Sequence, residues 1–307
     1  MLISVIIATW NRSQDLRRCL ESFSALRCPP EVDWELIVVD NNSSDDTRDV
    51  VASAGPGLAP RIRYLWEPRQ GKAFALNTGL RQARGDLIAF TDDDCILDGN
   101  WLVCVSRQFQ ADLELGLLGG RVELYDARDC AVTVLRHPQQ FILTDALEVF
   151  SSAMGCNMVV RRHVVEKVGG FDISLGPGTP SRTVAEDLDY IYRVHKAGFR
   201  IAYAPDVLVL HNHGRRSNAQ LKALGETYGR GRGAFYCKHV LSGDKMAAKM
   251  AYWELRSHLL WILRPPFQAE PIRHRLRVMA CLARGAFAEM LFVLRRMSPR
   301  LSLRCFQ

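Results

Sequence analysis

The first third of the chain alternates short apolar runs with amphipathic segments. The run Leu2–Thr9 (LISVIIAT) is too short for a helix and apolar on both faces, which predicts a central parallel strand. Runs of the same kind follow at residues 34–40, 62–66 and 86–90. Apolar residues at helical spacing lie between them and predict helices over 15–26, from a cap at Ser43 or Ser44 to about Ser53, and over 71–84.

This alternation of strand and helix indicates βαβ units and an α/β fold with one mostly parallel sheet flanked by helices. In open sheets of this class, ligands bind at the carboxyl ends of the strands. Asp40 and the run Asp92–Asp94 follow two of the predicted strands. We therefore expect both to face a cleft.

Beyond residue 115 the pattern becomes mixed. Strands are predicted at 117–124, 157–160, 200–205 and 207–213, and a short helix at 186–196. Gly, Pro and Ser are concentrated over 174–185, which predicts a mobile loop directly before Glu186 and Asp187. From residue 215 onward the chain is predicted to be mainly helical.

The formal net charge of +7 conceals a division of the chain. Residues 1–214 contain 22 Lys and Arg against 28 Asp and Glu, a balance of −6. Residues 215–307 contain 18 against 5, a balance of +13. This asymmetry predicts two regions with different tasks, a domain over 1–214 and a basic helical extension over 215–307.

Cysteine usage and the N-terminus bear on the cellular compartment. The nine cysteines occur singly with no CxxC pair, which favours a reduced, cytoplasmic chain over a disulfide framework or a zinc site. No basic region precedes the first apolar run, so we interpret that run as a core strand rather than a signal peptide. No apolar run reaches the roughly 18 residues that a membrane-spanning helix needs.

Three adjacent carboxylates, Asp92, Asp93 and Asp94, stand at the end of a predicted buried strand. Such charges repel one another, and Mg²⁺ or Mn²⁺ would relieve the repulsion, with substrate phosphates completing the coordination. The alternative is a solvated acidic turn, since short acidic runs are common in loops. The chain has no GxxxxGK[ST] and no GxGxxG, so neither standard phosphate-binding loop is present.

Seven segments, in this order, resemble those of family 2 glycosyltransferases: SVIIATWNR, VVDNNSSDDT, GKAFALNTGLRQARGD, FTDDD, GCNMVVRR, VGGF and AEDLDYIYRVHKAGFRI. The resemblance covers roughly residues 2–213. It implies a GT-A fold with a Rossmann-like sheet, divided into a nucleotide-sugar half over about 1–98 and an acceptor half over about 99–214. It also implies inverting transfer from a nucleotide-diphosphate sugar, most simply a UDP-sugar.

The resemblance assigns several residues to the donor nucleotide. Asp40 would accept a hydrogen bond from the base, such as N3–H of uracil, although an aspartate here also suits a turn or a helix cap. Gly71 alone could be a turn residue, and Lys72 a solvated charge. The residues implied near the nucleotide or its diphosphate are Thr9, Asn11, Arg12, Asp40, Gly71, Lys72 and Asn77.

The family pattern Asp-x-Asp falls on the acidic run. It implies Asp92 on the ribose and Asp94 on the metal. Because Asp93 is acidic too, the sequence leaves open which carboxylate takes which role, so Asp92 and Asp93 are both nucleotide candidates and Asp92 is a second metal candidate. His211 is a further candidate ligand, with His213 less favoured, and a histidine ligand would tilt the choice from Mg²⁺ toward Mn²⁺.

Glu186 and Asp187 resemble the acidic pair from which the family draws its general base. In an inverting transfer the acceptor hydroxyl attacks opposite the leaving nucleotide, and a carboxylate takes its proton. We expect Asp187 to be the base, with Glu186 as its neighbour or an acceptor contact. The alternative is an acidic first turn of a helix, stabilised by the helix dipole.

The basic extension lies outside the family segments. Trp253, Trp261 and the amphipathic segment 273–296 are typical of a helix at a membrane interface, though its apolar face could equally pack on the domain. We expect a cytoplasmic protein, with the cytoplasmic face of an anionic membrane as one candidate partner. No nucleic-acid recognition motif is present, so nucleic acid is not an expected partner.

The predicted function is addition of a single sugar to a hydroxyl of a glycan or lipid-linked saccharide, because the QxxRW motif of processive synthases is missing. Two alternatives remain open. A sugar nucleotidyltransferase would also need a carboxylate–metal site, but typically begins with a glycine-rich loop where this chain has ATWNR. A non-catalytic glycan-binding or membrane-binding scaffold would not need the acidic run and the Glu-Asp pair, which are both present.

Overall fold

The computed structural model describes residues 1–179, 183–263 and 269–297, with the backbone alone for 269–271 and 295–297. Nine strands are present in this part of the chain: β1 (Leu2–Thr9), β2 (Asp33–Asp40), β3 (Ile62–Trp66), β4 (Leu87–Asp92), β5 (Cys95–Leu97), β6 (Leu115–Leu124), β7 (Phe141–Ile142), β8 (Asn157–Arg161) and β9 (Arg200–His211). The α-helices are α1 (Ser13–Phe23), α2 (Thr47–Ala52), α3 (Lys72–Gln82), α4 (Trp101–Ala111), α5 (Val149–Ser152), α6 (Arg162–Val168), α7 (Glu186–Lys196), α8 (Asn218–Leu241), α9 (Lys245–Ile262) and α10 (Ala269–Met297), with a 3₁₀ turn at Ala146–Glu148.

The strands form a single sheet of order β3-β2-β1-β4-β8-β6-β9-β5, with β7 paired to β9. Strands β3, β2, β1 and β4 are mutually parallel. Strand β8 is antiparallel to both β4 and β6, and β9 is parallel to β6 but antiparallel to β5. The predicted mostly parallel sheet is therefore parallel over its first four strands and mixed beyond them.

The strand register brings the ends of β1, β2 and β4, which carry candidate site residues, next to one another. Thr9 lies opposite Asp40, and Ala8 lies opposite Asp92. The ends of β1, β2 and β4 therefore meet at one edge of the sheet, as the apolar runs predict. Beneath this edge the central strands are buried on both faces, which explains why they read as continuous apolar runs rather than alternating ones.

Three local predictions differ from the structure. Helix α2 begins at Thr47, after Asp46, so Ser43 and Ser44 do not cap it. Residues 200–211 form one strand, not two, because the chain stays extended through Pro205. The sequence prediction also omitted α4, whose apolar residues Trp101, Leu102, Val105 and Phe109 line one buried helical face.

The described residues form two compact units, which are considered separately. The first comprises residues 1–171 and 187–216 and contains the sheet. The second comprises the described parts of 172–186 and 217–307 and contains α8, α9 and α10. In the part of the chain described, no helix combines the length and apolarity that crossing a membrane would require.

Helices α8 and α10 approach so closely that glycine is required at their contact. A Cβ at Gly233 would lie 1.9 Å from the carbonyl oxygen of Leu282, and one at Gly285 would lie 1.8 Å from that of Arg230. On another side of α8, a Cβ at Gly231 would lie 2.1 Å from the carbonyl oxygen of Val184. Val184 therefore packs directly on α8, and an ion pair of 2.7 Å between Lys238 Nζ and Asp172 Oδ2 forms a second contact with this helix.

The predicted loop over 174–185 is thus held at several points in its described part. Ser174 and Thr183 are buried, Thr183 Oγ1 donates to the carbonyl of Ser174, and the Ala185 amide donates to the carbonyl of Leu175. Residues 180–182 lie outside the described residues. Residues 174–179 and 183–185 therefore form a connection that is held by packing and hydrogen bonds.

A buried carboxylate ties β1 and β2 to the loop before β4. Glu35 accepts hydrogen bonds from Ser4 Oγ at 2.7 Å, the Arg84 amide at 2.8 Å and the Arg84 guanidinium at 2.7 and 3.0 Å. Burial favours the neutral acid, but these donors outweigh it and lower the pKa of Glu35 from 4.5 to about 2. The charged form therefore stabilises the fold.

We predict that Glu35→Gln lowers the free energy of unfolding by about 2 kcal/mol at pH 7, because a neutral amide replaces a buried charged acceptor of the bonds from Ser4 and Arg84. The pKa of Glu35 is lowered on folding, so its contribution is complete above about pH 4.5 and is lost as pH falls toward 2. Urea titrations of both proteins at pH 7 and pH 4 should therefore show a smaller difference at pH 4. The exposed Glu31, changed to Gln, is the control and should have little effect at either pH.

Candidate active site

The acidic run lies where β4 ends and the chain turns into β5. Asp92 is the last residue of β4 and is half-buried, whereas Asp93 and Asp94 are almost completely buried. Burying three adjacent carboxylates is unfavourable unless cations or donors compensate each of them. A solvated acidic turn is therefore ruled out for Asp93 and Asp94.

Arg12 provides most of that compensation. Its Nη1 lies 2.9 Å from both Asp93 Oδ1 and Asp94 Oδ2, and Thr9 Oγ1 donates to Asp93 Oδ2 at 2.8 Å. Burial raises the pKa of Asp93 to about 6 despite the opposing effect of Arg12. Lys72, the first residue of α3, places its Nζ 2.5 Å from Asp92 Oδ1. Arg12 therefore pairs with Asp93 and Asp94, and Lys72 pairs with Asp92.

His211, the last residue of β9, faces Asp94. Its Nε2 lies 3.3 Å from Asp94 Oδ1, and both side chains are buried. Burial lowers the pKa of His211, but the nearby carboxylate outweighs that effect and raises it to about 9. The same contact and Arg12 outweigh burial at Asp94 and hold its pKa below the usual range.

Asp94, Cys95 and His211 form a cluster whose candidate ligand atoms all lie within 4.8 Å of one another. Asp94 Oδ1 accepts no well-aligned hydrogen bond from the described residues, which leaves a buried lone pair facing the imidazole. Contact with Cys156 and burial raise the pKa of Cys95, so its thiol stays protonated and is a poor ligand for a hard cation. The oxygen and imidazole nitrogen that remain fit Mn²⁺ or Mg²⁺, and the nitrogen favours Mn²⁺.

His213 belongs to a different network. Its Nδ1 accepts a hydrogen bond from the Arg215 amide at 3.0 Å and lies 3.6 Å from Asp129 Oδ2. Asp129 also pairs with Arg216 Nε at 2.7 Å. His213 packs edge-on against His211, with ring centroids 5.2 Å apart. This contact helps to fix the orientation of the His211 ring.

The proposed nucleotide residues divide into two groups by what they contact. Asp40 is buried, with Oδ1 accepting from the Ser43 amide at 2.8 Å and Oδ2 from Tyr64 Oη at 2.7 Å. A carboxylate has about four acceptor positions, so Asp40 keeps capacity for a ligand. Gly71 adopts φ 134°, a conformation that favours glycine, and its amide donates to Asn41 Oδ1 at 2.8 Å.

Asn11 and Asn77 make contacts that hold the backbone. Asn11 adopts φ 51°, and its Oδ1 accepts from the Ser44 amide at 2.7 Å, which joins the loops after β1 and β2. Asn77 Nδ2 donates to the carbonyl of Phe171, and its Oδ1 accepts from the Phe171 amide, both at 2.8 Å. Asn77 therefore fixes the VGGF segment against α3.

Asp187, the second residue of α7, is half-exposed and held by two backbone amides. Its Oδ2 accepts from the Gly155 amide at 3.0 Å, and its Oδ1 accepts from the Leu188 amide at 2.8 Å. A Cβ at Gly155 would lie 3.0 Å from Asp187 Cβ and 3.1 Å from Oδ2, so glycine permits this approach. Glu186 is buried, unlike Asp187.

Segment 155–157 connects this carboxylate to the metal candidates. Gly155 contacts Asp187, and the next residue, Cys156, contacts Cys95 beside Asp94. Asn157 then pairs with Thr91 across β8 and β4. Sequence reasoning did not identify Gly155, Cys95 or Tyr64 as site residues, although Gly155 begins the quoted segment GCNMVVRR.

Comparison with known proteins identifies the family. The sequence model of a protein family, described as Glycosyl transferase family 2, matches residues 4–169, which is more than half of the chain. The glycosyltransferase AglE of Haloferax volcanii is 28% identical over 212 residues, which cover 68% of this chain and 66% of that protein. The match thus spans slightly less than two thirds of this relative.

Solved structures share the fold. The mannosyltransferase PcManGT from Pyrobaculum calidifontis, in complex with GDP-Man and Mn²⁺, has a TM-score of 0.61 at 20% identity, over 94% of this chain and 86% of its own. TarS 1–349 of S. aureus, in complex with UDP-GlcNAc, has a TM-score of 0.60 at 17% identity, over 77% and 66%. The predicted GT-A fold is confirmed, and with the family match spanning β1 through α6, the chain belongs to glycosyl transferase family 2.

Proposed function

We propose that the protein is a metal-assisted, inverting glycosyltransferase that moves one sugar from a nucleotide-diphosphate donor to a hydroxyl of a glycan or lipid-linked saccharide. The buried Asp94–His211 pair at the carboxyl edge of the sheet is the observation that carries this proposal. The similar structures hold GDP-Man with Mn²⁺ in one case and UDP-GlcNAc in the other. We propose a UDP-sugar for this chain because Asp40 retains acceptor capacity for N3–H of uracil.

Asp94 and His211 would hold the cation, which when bound neutralises the charge that develops on the leaving diphosphate. The Asp94 carboxylate supplies a hard oxygen and His211 supplies Nε2 once its proton is lost. Arg12 keeps Asp94 ionised and fixes its orientation through Oδ2, which leaves Oδ1 directed at His211. Lys72 holds Asp92, the candidate ribose acceptor, from the opposite side.

Asp187 would act as general base. The two amides that bind its oxygens fix the carboxylate plane, while its partial exposure leaves lone pairs for an acceptor hydroxyl. In the reaction the hydroxyl proton moves to Asp187 as the acceptor oxygen bonds to the anomeric carbon, and the bond from that carbon to the diphosphate oxygen breaks. Glu186, buried beside it, would support the helix start.

The function is tested by incubating the full chain with UDP-, GDP- and dTDP-sugars and measuring release of the nucleoside diphosphate with and without Mn²⁺. We expect metal-dependent release from one nucleotide class, with UDP-sugars the proposed class. Absence of release from every donor, with saccharide acceptors supplied, would contradict the proposed activity.

We predict that Asp94→Asn removes metal-dependent activity and weakens Mn²⁺ binding by at least about tenfold, because the hard anionic oxygen is lost. Calorimetric or paramagnetic-resonance titration with Mn²⁺ measures binding separately from turnover. Asp98, half-buried in the turn after β5 and bound to the Asn100 amide, offers the matched control Asp98→Asn, which should bind Mn²⁺ like the parent. Full activity of Asp94→Asn in the presence of EDTA would exclude the metal role.

We predict that Asp187→Asn lowers kcat by about 10²-fold or more, because the side chain keeps its size but loses its basicity, and its amide nitrogen cannot accept from one of the two backbone amides that bind the carboxylate. Donor KM should change little, since the nucleotide residues are untouched. Glu186→Gln serves as the comparison and should retain more activity. If Glu186→Gln loses more activity than Asp187→Asn, Glu186 is the base.

We predict that Gly155→Ala lowers kcat by about tenfold while donor KM and the melting temperature stay near the parent values. The added Cβ lies 3.0 Å from Asp187 Cβ, so the carboxylate must shift by a few tenths of an ångström, and such displacements of catalytic groups are costly. Steady-state kinetics of Gly155→Ala and of Gly57→Ala, whose Cβ would meet open space, test this. An unchanged kcat in Gly155→Ala would show that Asp187 need not be held so closely.

A further inference from the structure

Exposed apolar side chains are concentrated in the second unit. Of the 22 large apolar residues that are exposed in the described chain, fifteen lie between residues 240 and 294. A concentration of exposed apolar side chains is typical of a contact with another molecule or with a membrane, whereas isolated apolar residues are not. The helices α9 and α10 carry most of this set.

Helix α9 has two apolar faces, and only one of them is covered. Ala247, Met250 and His258 are buried and lie on one side of the helix. On the opposite side, an outer stripe that begins on α9 and ends at its C-cap is exposed, with Tyr252 at 59% and Leu259 at 47%. Its members recur at spacings of three and four residues, as one helical face requires: Tyr252, Leu255, Leu259 and Leu263.

The charges beside this stripe have one sign. Lys245, Lys249 and Arg256 are exposed on α9, next to the outer stripe, and Arg273, Arg277 and Arg284 are exposed on α10. No described carboxylate of the second unit is exposed. Those carboxylates are buried or half-buried: Asp172, Glu186, Glu226, Asp244, Glu254 and Glu289. Among the side chains that the structure describes, the exposed charges of this unit are therefore all cationic, although Arg277 Nε also lies 4.0 Å from Oε1 of the half-buried Glu226.

Two tryptophans add a feature suited to a boundary between water and lipid. Trp253 is exposed with the Arg256 guanidinium 4.9 Å from its ring centroid, and Trp261 is exposed with that of Arg275 at 5.2 Å. Indole rings have an apolar body and a polar N–H, and they concentrate at the headgroup level of membranes. The exposed Arg256 would reach lipid phosphates while the Trp253 ring enters the acyl boundary, whereas Arg275 is half-buried and lies 3.2 Å from His258 Nδ1.

We propose that the outer faces of α9 and α10 form a docking surface for an anionic lipid bilayer. A second copy of this chain fits less well, because a two-fold contact would bring identical faces together whose exposed charges, among the described side chains, are all cationic. A nucleic acid would match the charge but would not bury the leucines of the outer stripe. This inference goes beyond the proposed glycosyl transfer and does not depend on it.

The test is co-sedimentation of the full chain with vesicles of phosphatidylcholine alone and of phosphatidylcholine with 30% phosphatidylglycerol, an anionic fraction of about one third. We expect binding to the anionic vesicles that weakens but does not vanish as salt rises, because charge attraction is screened and apolar burial is not. Replacing Lys245, Lys249 and Arg256 by Gln should weaken binding by about 100-fold, since each basic residue near an anionic leaflet contributes about a factor of five.

The matched control replaces three exposed bases of the first unit, Arg17, Arg81 and Lys167, by Gln, which changes the net charge equally. This control should bind vesicles like the parent. A further variant, Leu255→Asn with Leu259→Asn, should remove the binding that survives high salt, and circular dichroism checks that each variant is folded. Equal weakening by both triple variants, or no sedimentation with anionic vesicles, overturns the proposal. The proposal is also overturned if the chain binds polyuridylate but not the vesicles, or if light scattering shows dimers while the vesicles are not bound.

Discussion

Compensation of buried negative charge is the constraint on which the site depends. Three successive carboxylates end one strand, and the protein surrounds them with Arg12 from the loop after β1, Lys72 from the start of α3 and His211 from the end of β9. Each cation comes from a different element, so the sheet must be assembled before any of them is in place. The acidic run is therefore stable only in the folded chain, and its geometry is fixed by the register of β1, β4 and β9.

The first half of the fold could be read from the sequence because β1, β2 and β4 are buried on both faces along most of their length. The runs that became β1, β2, β3 and β4 are continuous and apolar, and the helices between them have clear amphipathic spacing. Strands β5 and β7 have only three and two residues, too few for any periodicity to be visible. Their existence depends on pairing with β9, which the sequence does not specify.

The candidate site was predictable in its residue types but less so in its contacts. Asp94 and His211 are 117 positions apart, and they meet because Cys95 and His211 are paired across β5 and β9. The role of Arg12 depends on the left-handed turn at Asn11, and that of Gly155 depends on a contact with Asp187 across 32 residues. Such contacts follow from tertiary packing, so only a resemblance to a family could indicate them in advance.

The glycines of α8 give that helix an unusual property. Gly233 allows the backbone of α10 to approach closely. Gly231 lies two residues away, on a nearly opposite face, and allows the backbone of Val184 to approach closely. The helix thus functions as a spacer of fixed thickness between two backbones, set by bare main chain rather than by interlocking side chains. A thickness defined in this way cannot be adjusted by repacking. A larger residue at Gly231 would therefore displace the backbone at Val184, three residues ahead of Asp187, and one at Gly233 would displace α10.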